Sequence, residues 1–244
     1  MARILKKIGR KTGVMLRGGW RPVVDRWHLQ KRNYDWFDQT AAGKEGYHSQ
    51  WGQDKWAVEN IFKHRRGGFF VDIGAYNGVD ISNTYYFEQK LGWSGICVEP
   101  SPKLFSELTQ NRKCTCVQGC VAASDGEVEF LQVEDDETLN SLASALAETH
   151  DARVDSHRIN KLKLPGFRLD TLLRNHKVQK ADFVSIDTEG SEMEILRNFE
   201  WGSFEIGVLC VENTYYGDLL AEFLYHHGYR LNAVLNSDEI YVRI

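Results

Sequence analysis

Two glycines and a small set of acids stand at spacings that suit chemistry on a nucleoside-bearing ligand. In Phe69-Phe-Val-Asp-Ile-Gly-Ala-Tyr-Asn-Gly78 a buried-type apolar run passes into Asp72-x-Gly74-x-x-x-Gly78 and then into a helical pattern. Glycines let the backbone turn tightly and approach a ligand, the following helix N-terminus favours a carboxylate, and Asp72 offers a partner for an ammonium. Alone, such a turn is a weak signal. It gains weight from Glu99, which ends the next apolar run, Gly95-Ile-Cys-Val-Glu99, about 20 residues past the turn, where a carboxylate can hold both hydroxyls of a ribose. A simple turn accounts for the glycines but not for the paired acid. For Glu99 the plain alternative is a helix cap or surface charge ahead of Pro100.

A nicotinamide dehydrogenase shares this geometry but asks for Gly-x-Gly-x-x-Gly and neutral or positive surroundings for a pyrophosphate. Here the glycines are four apart and follow an Asp, so a ligand presenting an ammonium suits the turn better than one presenting phosphates.

A second group of acids follows Phe183-Val-Ser-Ile186, where Asp187, Glu189 and Glu192 come in quick succession. That is the carboxyl edge at which open α/β sheets bind ligands. Asp187, with Glu189, is the first choice for a general base, and equally for ligation of a hard cation such as Mg²⁺ together with Glu212. The structural alternative for Glu189 and Glu192 is stabilisation of a helix N-terminus, worth about 0.3–1 kcal/mol. The histidines carry less. His226-His227 precede Gly228 at a helix end, and His150 and His157 lie in a polar stretch whose spacing demands nothing of them.

These residues need a scaffold. Apolar runs at Phe69–Ile73, Gly95–Glu99, Thr115–Val121, Phe183–Ile186, Ile206–Glu212, Tyr229–Leu235 and Glu239–Ile244 alternate with helical patterns, which predicts a seven-stranded, mainly parallel, doubly wound α/β sheet. Only Asn236-Ser237-Asp238 separates the last two runs, too little for a parallel crossover, so they form an antiparallel hairpin at one edge. Helices are expected at Gln53–Phe62, Ser82–Leu91, Lys103–Asn111, Leu169–Asn175, Glu192–Asn198 and Asp218–His227, with Ser191 and Glu194 as a capping box and Asp170 as a cap. Gln132 to Pro165 reads as an irregular polar insertion, fit for a substrate lid or a plain surface excursion.

With 244 residues, 42% hydrophobic and 26% charged, the chain suits one large domain with an N-terminal extension and excludes disorder and disulfide mini-scaffolds. Residues 1–32 carry ten Lys or Arg against Asp25, leaving −13 on the remainder of a chain whose net charge is −4. The basic segment suits peripheral contact with an anionic membrane surface or a plain solvated tail. The acidic remainder argues against nucleic acid. No apolar run reaches spanning length and no secretory leader is evident, which places the expectation in the cytoplasm. Five cysteines sit mostly in strand-like sequence, and Cys114, Cys116 and Cys120 lack the second cluster of a structural zinc site.

Five blocks in order, Tyr47-His-Ser-Gln-Trp-Gly-Gln-Asp54, the turn above, Ser82-Asn-Thr84, Gly92-Trp-Ser-Gly-Ile-Cys-Val-Glu-Pro100 and Ile186-Asp-Thr-Glu-Gly-Ser-Glu192, closely resemble the FkbM-type methyltransferase family. The resemblance spans residues 47–244, leaving 1–46 as a basic extension. It implies a class I methyltransferase fold, S-adenosylmethionine as donor, and O-methylation of a small-molecule or glycan acceptor, often a sugar. By the same resemblance, Gln50 and Gln53 lie at the donor's amino-acid end, Asp72, Gly74 and Gly78 form its loop, and Glu99 holds its ribose. Asn83 and Thr84 line the same pocket, and Ser124 and Asp125 stand where adenine contacts are expected. A polyketide-type or lipid-linked acceptor, or a non-catalytic donor-binding scaffold, remains an alternative. Oligomeric state is not specified.

Overall fold

The computed structural model describes residues 14–16, 19–21, 29, 39–133, 140–145 and 159–244. Most of the basic segment, and His150 and His157 with their part of the insertion, therefore lie outside the described residues. The strands in chain order are β1 (Val14–Leu16), β2 (Gly19–Arg21), β3 (Phe69–Ile73), β4 (Ser94–Glu99), β5 (Thr115–Gln118), β6 (Cys120–Val121), β7 (Gly126–Val133), β8 (Ser141–Leu142), β9 (Ile159–Phe167), β10 (Lys180–Ile186), β11 (Glu205–Glu212), β12 (Tyr229–Leu235) and β13 (Asp238–Arg243).

Seven of them form the central sheet in the order β12-β13-β11-β10-β3-β4-β5. Pairing is parallel from β11 through β10, β3 and β4 to β5, and antiparallel where β13 slots between β11 and β12. This is the predicted doubly wound class I methyltransferase sheet with its antiparallel C-terminal hairpin. The order reverses between β3 and β10, so their carboxyl ends open the crevice in which such sheets bind ligands.

Alternation along the strands decides which side chains reach that crevice. Val71, Ile73, Ile96, Val98, Val184, Ile186, Leu209 and Val211 face one way, onto Leu169, Leu172, Ile195, Leu196, Leu220 and Leu224 of the helices Leu169–Asn175, Glu192–Arg197 and Asp218–His226. Phe70, Cys97, Phe183, Val208 and Cys210 face the other way, onto Trp56, Val58, Phe87, Trp93 and Leu108. Trp93 is thus a packing residue, its ring 4.7 Å from that of Phe87 and its Nε1 donating to the Arg65 carbonyl at 2.9 Å. Ala42 and Tyr47 pack into this second layer too.

Three expectations are corrected. The run Thr115–Val121 is broken at Gly119 (φ 152°), after which Cys120–Val121 leaves the main sheet to pair with β9. The stretch read as irregular contains β8 and most of β9, which with β6 and β7 make a separate four-stranded sheet in the order β6-β9-β7-β8. Its apolar face is small, resting on Cys120, Ala122, Phe130, Leu142 and Ala145, so lysines and glutamates dominate the strands and mask their period. Capping also differs. Ser191 makes no side-chain cap and donates instead to Thr188 Oγ1 at 2.8 Å, while Asp170 lies inside its helix and pairs with Arg168 and Arg174.

Candidate active site

A cleft of about 400 Å³ opens at the carboxyl ends of β3, β4, β10 and β11, walled by Gln50, Trp51, Gly74, Tyr76, Glu99 and Gly119 at one end and by Asp187, Glu189, Glu212 and Asp238 at the other. Local backbone demands explain its shape. Gly74 adopts φ +81°, and both its N–H and that of Ala75 donate to the Val98 carbonyl at 3.0 Å, which clamps the turn onto β4. Gly78 does not reach the cleft. A side chain there would strike Leu108 and Arg112, so this glycine admits the helix Pro102–Asn111 and the arginine that follows it.

Glu99 is buried at the strand tip, with Oε2 accepting the Tyr76 N–H at 3.0 Å and Oε1 accepting the Ser101 N–H at 2.8 Å. Two backbone amides fix the carboxylate's plane while the residue still borders the cleft, a geometry that suits a pair of vicinal hydroxyls. Gln50 lies on the wall. Gln53 lies behind it, its Oε1 accepting the Trp51 N–H at 2.8 Å, with a hydrogen bond to Asp238 that opposes the rise burial gives that carboxyl. The loop carrying these residues is anchored by Asp54, whose buried carboxylate accepts Ser49 Oγ at 2.5 Å, the His48 N–H at 2.8 Å and the Lys55 N–H at 2.6 Å.

Asp72 lies elsewhere. In β3 its side chain falls on the Phe70 face, not at the tip, and its carboxylate accepts Thr84 Oγ1 at 2.5 Å. Thr84 in turn accepts from Arg112 at 3.0 Å. Burial lifts Asp72 to about 6 against the opposing pull of the Arg112 charge. The expected ammonium contact is therefore replaced by a buried structural network. Asn83 belongs to the same layer, donating to Ser185 Oγ at 2.9 Å. Ser124 and Asp125 are also off the cleft. Both are exposed, and Asp125 caps the helix Leu169–Asn175 by accepting the Arg168 N–H at 2.9 Å and Thr171 Oγ1 at 2.8 Å. These hydrogen bonds hold its carboxyl below the usual range. The wall past β5 is made by Gly119, Cys120, Phe130 and Leu142 instead.

At the other end the acids converge as expected. Asp187, Glu189 and Glu212 each bring a carboxylate oxygen to within 4.8 Å of the other two. Burial, then repulsion from Glu212, Asp238, Glu189 and Glu192, pushes Asp187 well above the usual carboxylate range. Burial, then Glu189 and Glu192, lifts Glu212 to about 8, opposed by the Thr214 hydroxyl that donates to it at 2.5 Å. Burial also lifts Asp238 to about 6. Glu192 turns inward to shape the loop, its Oε1 accepting the Thr188 N–H at 2.9 Å and the Gly190 N–H at 3.1 Å. Tyr76, readable from the sequence as a ring for a sugar face, also holds Glu99 through its backbone N–H, a contact hidden inside the glycine turn, and Asp238 was readable only as a turn residue.

The cleft lies at the switch point of this sheet, with a strand-final acid beside a glycine turn, which is where open α/β sheets of this kind bind their ligands. The methyltransferase FkbM domain profile matches residues 72–231, and the chain belongs to that family. Similar solved structures include the methyltransferase FkbM of Methylobacillus flagellatus KT, 13% identical with TM-score 0.44, over 73% of this chain and 44% of that one. A TehB-like SAM-dependent methyltransferase of Corynebacterium glutamicum ATCC 13032 Kitasato aligns with 13% identity and TM-score 0.41, over 89% of this chain and 99% of its own. Aeropyrum pernix fibrillarin with natively bound S-adenosyl-L-methionine aligns with 12% identity and TM-score 0.44, over 80% and 73%. The chain thus spans less than half the length of the Methylobacillus protein it matches. No curated protein matches it.

Proposed function

We propose that this chain transfers a methyl group from S-adenosylmethionine to a hydroxyl oxygen of a sugar. One observation carries the reading: a single cleft has the amide-oriented Glu99 at one end and the Asp187 carboxylate cluster at the other. The donor's ribose sits on Glu99 and its sulfonium points toward Asp187. The acceptor oxygen attacks the methyl carbon in line, the carbon–sulfur bond breaks, and neutral S-adenosylhomocysteine leaves. The protein's contribution is alignment and removal of the hydroxyl proton. Asp187 or Glu189 takes that proton, and the burial and crowding by acids that raise Asp187 make it a stronger base. Trp51 and Tyr76 supply rings on the wall for a sugar face.

A lipid-linked acceptor is the second reading, favoured by the excess positive charge of residues 1–32. Liposome binding with and without that segment separates the two. The first test is calorimetry with S-adenosylhomocysteine on the wild type and Glu99→Ala, followed by labelled methyl transfer to a panel of sugars with Asp187→Asn as control. A folded wild type that does not bind the product sinks the proposal. Binding without transfer to any acceptor favours a scaffold. Among the described residues no helix is long and apolar enough to cross a membrane.

A further inference from the structure

The acidic end of the cleft holds an arrangement that proton transfer alone does not require. Glu212 of β11 stands directly opposite Asp238 of β13 in the antiparallel ladder, a position in which like charges repel. The charges acting most strongly on Asp187 are those of Glu212, Asp238, Glu189 and Glu192, all negative. A second observation points to a ligand. Glu212 is 8% exposed, its Oε1 accepts from Thr214, and its Oε2 is buried with no hydrogen-bond partner among the described residues. An orphaned buried carboxylate oxygen is costly unless something cationic or hydrogen-bonding meets it.

The geometry favours an ion. Three oxygens mutually within 4.8 Å have a common point no more than about 2.8 Å from any of them, near the roughly 2.3–2.6 Å of calcium–oxygen bonds and reaching the roughly 2.0–2.1 Å of magnesium by contraction of the loop. An ammonium would suit the same distance but would offset only one of the charges. We propose that Asp187, Glu189 and Glu212 bind one hard divalent cation, which takes hydroxyl groups of the acceptor as further ligands. The ion holds the acceptor oxygen beside the donor methyl and raises the acidity of its proton, which passes to the carboxylate oxygen of Asp187 or Glu189 that does not ligate the ion. That role rests on the methyl-transfer reading, whereas binding of the ion does not.

The test is calorimetry of the full, chelator-stripped chain with Mg²⁺, Ca²⁺ and Mn²⁺, on the wild type, Glu212→Gln and Glu189→Gln, with S-adenosylhomocysteine titrated in parallel. Glu189 lies in a partly exposed loop, so its substitution keeps the test decisive if Glu212→Gln fails to fold. One ion per chain, bound at least tenfold more weakly by either folded variant, supports the site. A wild type that binds S-adenosylhomocysteine but no divalent ion overturns the cation site and leaves the donor reading standing. Equal ion binding by the variants, or a response to methylammonium and not to divalent ions, also overturns it. Ion binding without S-adenosylhomocysteine binding retains the site and removes the donor reading.

Discussion

A Cβ atom built on Gly74 would lie 1.8 Å from the backbone carbonyl oxygen of Asp187. The glycine turn and the tip of β10 are thus in direct backbone contact, reinforced by the Asp187 N–H donating to the Ile73 carbonyl at 3.0 Å. The residue that turns the chain at the cleft also sets the height of the candidate base.

Gly74→Ala therefore meets two penalties, a φ of +81° and a backbone collision that no rotamer relieves. A loss of about 3–5 kcal/mol is expected, read as a large fall in thermal midpoint together with loss of S-adenosylhomocysteine binding. An alanine variant with wild-type melting would show that the two strand tips are not held in this contact.

Asp72 gives a sharper discrimination, because sequence and structure assign it different work. With its carboxylate committed to Thr84 and beside Arg112, Asp72→Asn is expected to lower stability by about 1–3 kcal/mol and to leave S-adenosylhomocysteine affinity within about twofold. Loss of affinity with unchanged melting would restore the ammonium role.

The contrast between Asp72 and Glu99 shows what could be read in advance. The succession of seven main-sheet strands, the hairpin and the strand-final acids followed from apolar runs and their spacing, because a residue ending a parallel strand must emerge at the carboxyl edge, whereas their order across the sheet did not. Asp72 stands one residue short of the end of β3, so alternation turns it onto the Phe70 face, a distinction that the motif alone does not reveal. Ser124 and Asp125 misled for a related reason. Gly119 ends β5 early and Cys120–Val121 joins the second sheet, which carries the following loop to the N-terminus of the helix Leu169–Asn175. The second sheet was illegible because its strands bury little and are rich in charge.

Glu99→Gln keeps the shape but exchanges one carboxylate oxygen for a donor that must face either a backbone N–H or a ribose hydroxyl. S-adenosylhomocysteine is expected to bind about 10–100-fold more weakly, the loss of a charged hydrogen bond, and the fold to lose about 1–3 kcal/mol because the amide sets a donor against the N–H of Tyr76 or Ser101. Equal affinities for the variant and the wild type, measured by calorimetry, would remove Glu99 from the donor site.

The acidic cluster makes stability depend on pH in a direction opposite to that of a salt-bridged carboxylate. Glu212 is lifted from 4.5 to about 8 in the folded chain, so between those values the folded state keeps a proton that the unfolded chain has released. Stability is then highest below about 4.5 as far as this group is concerned, falls as pH rises toward 8, and levels off above it. The cluster titrates jointly with Asp187 and Asp238, so the midpoint belongs to the group. Glu212→Gln, which cannot ionise, should be more stable than the wild type at pH 8.5 in the presence of chelator, by on the order of a few kcal/mol, and show a flatter profile between pH 5 and 8. Parallel profiles for the two proteins would mean that Glu212 is already ionised at neutral pH and that the repulsion around it is relieved by groups other than a proton.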